Sequence, residues 1–215
     1  MTESCSIVVL ISGNGSNLQA LIDQRQSRGF RISAVICNEP DAYGLERAAK
    51  AGIPTVILNH RDYAAREQFD QQLMDQIEAF APELLVLAGY MRILSAGFVQ
   101  HYHGRILNIH PSLLPAYRGT NTHQRVLDAG ELIHGVSVHF VTEELDGGPV
   151  VLQVEIPITA DDNKESLARR IAEQEHRIYP EIVSWFCSGR LKMHNSTVSL
   201  DNMLLPEFGI RRTAS

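Results

Sequence analysis

The run at residues 6–12, Ser-Ile-Val-Val-Leu-Ile-Ser, constrains the fold more than any other feature of the chain. It is apolar on both strand faces, and such a strand is satisfied only when helices cover it on both sides, as in a parallel sheet. Gly13-Asn14-Gly15-Ser16 follows, then residues 17–28 with Leu18, Leu21 and Ile22 at helical spacing. The alternation repeats, with strands over 32–37, 54–58, 83–88 and 105–110 and helices over 45–51, 64–80, 95–100 and 122–129 between or after them. Gly52 falls where a left-handed helix cap is wanted. The rhythm then changes. Runs at 134–141 and 149–158 are joined by Thr-Glu-Glu-Leu-Asp-Gly-Gly, too short for a crossover helix, so they are expected to be antiparallel. A long helix at 164–185, a hairpin at 191–205 and a loose tail at 206–215 complete the reading. The fold class is α/β, a doubly wound, mostly parallel sheet flanked by helices, Rossmann-like, with antiparallel edge strands. Residues 1–193 are expected to form one domain and 194–215 a C-terminal extension.

Composition removes whole classes of function. The 215 residues carry 19 Lys and Arg against 25 Asp and Glu, a net charge of −6. That field repels polyanions, and no basic patch opposes it, so nucleic acid is not an expected partner. The longest uncharged stretch, 5–22, includes Ser12, Asn14, Asn17 and Gln19, which hydrocarbon would not accept. No basic residue precedes the first apolar run, so a secretory signal is not expected. Cys5, Cys37 and Cys187 are odd in number and unpaired in spacing, which suits thiols in a reduced cytoplasm and gives no zinc framework.

In a doubly wound sheet, ligands bind beyond the carboxyl ends of the strands, here the loops after Ile11, Ala88 and Ile109. The Gly13–Asn17 stretch lies at one of them. It reads equally well as a phosphate cradle at a helix N-terminus and as a plain turn capped by Ser16 or Asn17. Leu18 replaces the third glycine of a dinucleotide fingerprint, and no Walker lysine follows. Residues 108–115, Asn-Ile-His-Pro-Ser-Leu-Leu-Pro, carry more. Asn108 and His110, two apart on a strand, project to one side about 6.6 Å apart, and an amide beside an imidazole suits an oxyanion in acyl transfer. Asp146-Gly147 is either a hairpin turn or a carboxylate that faces His110 and holds its imidazolium. No nucleophile elbow is present, no cysteine lies near a plausible base, and His101-x-His103 has no completing metal ligand.

Taken in order, several motifs resemble the glycinamide ribonucleotide formyltransferase family, the folate-dependent enzymes of purine biosynthesis. They are 12–20 (Ser-Gly-Asn-Gly-Ser-Asn-Leu-Gln-Ala), 87–95 (Leu-Ala-Gly-Tyr-Met-Arg-Ile-Leu-Ser), 107–115, 137–149 and Gln174-Glu175-His176. The resemblance spans about 6–193 and implies a formyltransferase fold with Asn108, His110 and Asp146 as the catalytic trio. It implies that the backbone at Gly15, Ser16 and Asn17, together with Ala172, Glu173, Gln174 and Glu175, meets the ribonucleotide. It assigns the folate to Arg66, Met91, Arg92, Ile93, Leu94, Asn108, Thr142, Glu143, Glu144, Leu145 and Asp146. The implied co-substrate is 10-formyltetrahydrofolate, with no metal, and the partners are the two small molecules, without nucleic acid or membrane and with a homodimer left open.

Arg118-Gly119 departs from this pattern and resembles methionyl-tRNA formyltransferases, whose additional tRNA-binding domain the 194–215 stretch is too short to hold. Formyltetrahydrofolate hydrolase shares the trio, but its usual N-terminal regulatory domain has no room before Ser6. From the residues alone, a nicotinamide-dependent dehydrogenase and a non-enzymatic binding module stay open as readings from other classes.

Overall fold

The computed structural model describes residues 4–214. The chain runs β1 (Cys5–Ile11), α1 (Ser16–Gln24), β2 (Phe30–Cys37), α2 (Tyr43–Lys50), β3 (Thr55–Ile57), α3 (Arg66–Glu78), β4 (Leu84–Leu87), α4 (Ala96–His101) and β5 (Ile106–His110). It continues through α5 (Thr122–Asp128), β6 (Ile133–Phe140), β7 (Val150–Pro157), α6 (Lys164–Cys187), β8 (Leu191–His194), β9 (Thr197–Leu200), β10 (Met203–Leu204) and β11 (Ile210–Thr213). Eight strands form the main sheet in the order β11-β7-β6-β5-β4-β1-β2-β3, and β10-β9-β8 form a small second sheet.

The all-apolar β1 does what its sequence requires. Ile7, Val9 and Ile11 enter the apolar layer shared with α1 and α6, including Leu18, Leu21, Ile178 and Ile182. Val8 and Leu10 enter the opposite layer with Phe69, Leu73 and Ile77 of α3 and Phe98 of α4. Alternate side chains of a strand point to opposite faces, so one run serves both cores. Tyr179, buried on α6, places its hydroxyl 2.8 Å from the Leu87 carbonyl and 2.9 Å from that of Leu107. One helix residue thereby ties the last residue of β4 to the second residue of β5.

Three details differ from the sequence reading. The reversal of direction is not at the sheet's edge: β6 pairs antiparallel with both β5 and β7, while β11 pairs parallel with β7. The single reversed strand therefore lies third in the order. The tail is not loose over its described residues. Gly209 adopts φ +67, and a Cβ there would meet the Val151 carbonyl oxygen at 2.5 Å, so the glycine lets the chain close onto β7. Ile210 then registers with Leu152 and Thr213 with Glu155, while Arg212 makes two bonds to Glu181 at 2.9 and 3.0 Å. A run of Ile-Arg-Arg-Thr shows no alternation, and the pairing comes from the strand edge it meets. Finally, the expected hairpin at 191–205 has a third strand, because Asp201 and Asn202 both take positive φ (53° and 64°) and turn the chain again.

Candidate active site

The reversed strand determines what faces β5. In the β5–β6 register, Asn108 lies opposite His139 and His110 opposite Ser137. Two positions of one strand thus meet two polar positions of the next, both buried on β6.

His139 is 2 % exposed, and its Nδ1 lies 2.9 Å from the carbonyl oxygen of Phe140. A carbonyl only accepts, so Nδ1 carries the proton, and in the neutral ring that burial favours Nε2 is bare. Nε2 in turn lies 3.1 Å from Asn108 Nδ2, which donates to it. Burial holds the His139 imidazole below the ordinary histidine range, against smaller opposing pulls from the Phe140 carbonyl and Asp146. With no proton on Nε2, the 3.8 Å approach of Asp146 Oδ1 is not an ion pair.

His110 is also buried, and both of its ring nitrogens face acceptors. Nε2–H donates to the Tyr117 carbonyl at 3.0 Å, and Nδ1 lies 3.5 Å from Asp146 Oδ2. Asp146 also accepts from the Gly119 N–H at 2.8 Å and takes φ +49, a left-handed conformation that Asp and Asn tolerate better than most residues. The Asp146 turn is therefore both of the things its sequence allowed, a tight turn and a carboxylate facing the imidazole. Gly148 is what lets it pass β6, since a Cβ there would meet the Phe140 carbonyl oxygen at 1.9 Å.

A buried polar scaffold fixes the segment after His110. Ser137 Oγ donates to the Ser112 carbonyl at 2.6 Å and accepts from the Leu114 N–H at 3.0 Å. Gln153 Nε2 donates to the Leu114 carbonyl at 2.8 Å and to Ser137 Oγ at 2.9 Å. Arg118 pairs with Glu144, joining this segment to the 142–148 loop.

A cavity of ≈ 90 Å³ opens beside Asn108 and His139. Arg92, Ile93, Leu94 and the five residues from Thr142 to Asp146 line it, so most of the residues assigned to a folate are brought together here. Two are not. Met91 is 72 % exposed and does not line the cavity, and its backbone N–H donates to Ser12 Oγ at 2.8 Å. Arg66 is the exposed first residue of α3 and does not line the cavity. Arg92 lies with its guanidinium carbon 4.6 Å from the centre of the Phe69 ring, and its buried Nε has no partner.

On the other side, Gly15 caps α1 at φ +74, with no side-chain cap bond. The turn proposed with Ser16 or Asn17 as cap is thus not what forms, and the first-turn N–H groups are left for an anion. Gly15 packs so closely on α2 that a Cβ would lie 2.8 Å from Gly44 Cα. Asn17 Nδ2 donates to Glu175 Oε2 at 2.8 Å, while Asn17 Oδ1 is buried without a partner. Burial raises the Glu175 carboxyl above its usual range, and the Asn17 bond offsets part of this. Ala172 and Gln174 are half-buried on the same helix, and Glu173 is exposed.

Sequence reasoning missed His139, Ser137, Gln153 and the backbone of Tyr117 and Gly119. The signal for two of them was present: Ser137 and His139 are spaced i, i+2 on a strand, as Asn108 and His110 are.

Residues 5–183 match the formyl transferase family. The chain is 53 % identical over 206 residues to the phosphoribosylglycinamide formyltransferase of Escherichia coli (strain K12), covering 95 % of this chain and 97 % of that one. It is 46 % identical over 205 residues to the Haemophilus influenzae phosphoribosylglycinamide formyltransferase, covering 94 % and 97 %. Among solved structures it is similar to the Coxiella burnetii phosphoribosylglycinamide formyltransferase in complex with CHES, with a TM-score of 0.94, 52 % identity and coverage of 98 % of this chain and 100 % of that one. Fold, strand-end site and sequence agree, and the chain belongs to the formyl transferase family.

Proposed function

We propose that the chain transfers the formyl group of 10-formyltetrahydrofolate to the amine of 5-phosphoribosylglycinamide, a step of purine biosynthesis. The observation that carries the reading is His110 held between the Tyr117 carbonyl and Asp146, with Asn108, two residues earlier on the same strand, and Asp146 both at the cavity wall. The substrate amine attacks the formyl carbon, and the carbonyl oxygen becomes an oxyanion. The His110 Nε2–H, which here donates to Tyr117, turns to hydrogen-bond that oxygen without leaving the ring, and Asn108 Nδ2 supplies a second donor. Asp146 orients the imidazole through Nδ1. When the intermediate collapses, the C–N10 bond breaks, the amine nitrogen loses a proton and N10 gains one. No covalent enzyme intermediate is required.

The reading assigns the ribonucleotide to the α1 N-terminus at Gly15, Ser16 and Asn17 and to Ala172–Glu175, with Glu175 as the direct contact. It assigns the folate to Arg92, Ile93, Leu94 and 142–146, with Arg66 and Met91 at the outer rim. It takes the catalytic machinery to lie within 1–193, and 194–215 to be a C-terminal extension. Among the described residues no helix is long and apolar enough to cross a membrane. We read the chain as a cytoplasmic enzyme acting on small molecules rather than nucleic acid, with homodimerisation to be read by sedimentation.

The test mixes purified protein with both substrates and follows the absorbance of the released folate together with formylated product. Equal yields of both are expected. Folate released as fast without the amine substrate indicates a hydrolase, and no release at all indicates a binding protein. Either outcome overturns the reading.

A further inference from the structure

Asn108 can serve as a donor to an oxyanion only if its NH2 end, and not its carbonyl end, faces the reacting oxygen. A free carboxamide has both orientations available, since the two ends have nearly the same shape. The orientation here is determined by the residue across the sheet. The Phe140 carbonyl takes the proton of His139 Nδ1 at 2.9 Å, so His139 Nε2 presents a lone pair, and Asn108 meets it with Nδ2 at 3.1 Å. A proton on Nε2 instead would repel the amide NH2 and favour the flipped carboxamide, with Oδ1 turned towards His139.

We infer that His139 is a positioning residue for formyl transfer, which fixes Asn108 with an amide N–H directed at the reacting oxygen by holding its own proton on Nδ1.

The surroundings are consistent with that single task. His139 is 2 % exposed, with both ring nitrogens engaged, so it has no donor left for a substrate. Asp146 Oδ1, at 3.8 Å, is the anion nearest to Nε2, and a proton placed between them would pull His139 into an ion pair and free Asn108 to rotate. Asp146 is instead bound to the Gly119 N–H and directed at His110 through its other oxygen. The strand register makes the contact unavoidable: Asn108 and His139 are cross-strand partners, and their side chains share one face of the sheet. A parallel neighbour reached by a crossover would not have given this pairing, which depends on β6 being reversed.

The inference rests on the proposed formyl transfer, and its test separates the two. Wild type, His139→Leu, Asn108→Ala and the double variant are compared by steady-state kinetics. His139→Leu is expected to lower kcat about ten- to hundredfold with both KM values within about twofold, the pattern of a misplaced transition-state donor. In the Asn108→Ala background the same change is expected to alter kcat less than about twofold, because the residue it positions is gone. His139→Gln, which can present Oε1 where Nε2 stood, should recover most of the rate.

Equal losses in both backgrounds, or a folded Gln variant as slow as the Leu variant, overturn the inference while leaving formyl transfer intact. Absence of transfer by the wild type overturns the functional reading instead. A measurement independent of variants is the long-range 15N spectrum of the wild-type imidazoles at neutral pH. It should show His139 protonated at Nδ1 and bare at Nε2, and the opposite tautomer overturns the inference outright.

Discussion

Strands β1, β2 and β4 pack almost nothing but hydrocarbon, with Ser6 and Ser33 as the buried polar exceptions, whereas β5, β6 and β7 bury His110, His134, Ser137, His139 and Gln153. Both regions belong to one sheet. The first gains its stability from apolar burial on two faces, which needs shape but no particular direction. The second satisfies directional groups at fixed distances, and an error in one bond leaves another group unpaired. The apolar half sets where the strand ends lie. The polar half sets where the protons point.

The contrast can be broken on either side. The largest effect is expected from Asp146→Asn, which keeps a residue tolerant of φ +49 but removes the charge facing His110. Turnover should fall by about 10²–10³, in the range for lost oxyanion stabilisation, while the thermal midpoint moves little. A comparable loss of both would place Asp146 with the structural half.

Next comes Leu10→Ala on β1, fully buried between strands and α3. It should cost about 2–5 kcal/mol of stability by urea unfolding, with kcat of the folded fraction within about twofold. Gln153→Leu tests the other half with a milder change. Its two bonds to the Leu114 carbonyl and Ser137 Oγ disappear, for about 1–3 kcal/mol. Unlike Leu10→Ala it should also slow turnover several-fold, because it loosens the segment after His110. Equal ratios of rate loss to stability loss in the two variants would erase the distinction between the halves.

The smallest effect is a pH dependence. Burial lowers the His134 imidazole to about 4, and His123, whose Nδ1 lies 3.0 Å from His134 Nε2, is lowered in the same way. The folded state resists a proton that the unfolded chain accepts near pH 6.5, so stability is complete above that value and is lost as pH falls from 6.5 towards 4. For His134 alone the loss at pH 5 is roughly 2 kcal/mol. Chemical denaturation at pH 7 and pH 5 should show it in the wild type and show less of it in His134→Gln. An unchanged difference between the two pH values in the variant would assign the slope elsewhere.

The same division decides what was legible in the sequence. Apolar runs and their alternation with helical patches revealed β1, β2, β4 and their helices, because burial on two faces leaves a compositional trace. Asn108 and His110 were legible as a pair through their spacing, and Asp146 through its turn. His139 was not singled out, since its role depends on which residue lies across the sheet and on which ring nitrogen holds the proton. Neither is encoded locally. The Tyr117 carbonyl and Gly119 N–H were invisible for a related reason, since every residue has such groups and only tertiary placement gives them work. β11 was missed because its pairing belongs to β7 as much as to itself.

That last strand has a consequence beyond the site. Without it, β7 would be an edge strand of eight residues, Val-Val-Leu-Gln-Val-Glu-Ile-Pro, offering unpaired N–H and C=O groups to any passing chain. With it, the exposed rim is four residues long and carries Arg211 and Arg212, a short, charged border that resists adding further strands. A version of the chain ending at Gly209 would keep every residue assigned to chemistry and would still be a poor protein, prone to self-association. Two arginines too few to bind a nucleic acid are thus well placed to keep one copy of this chain from templating another.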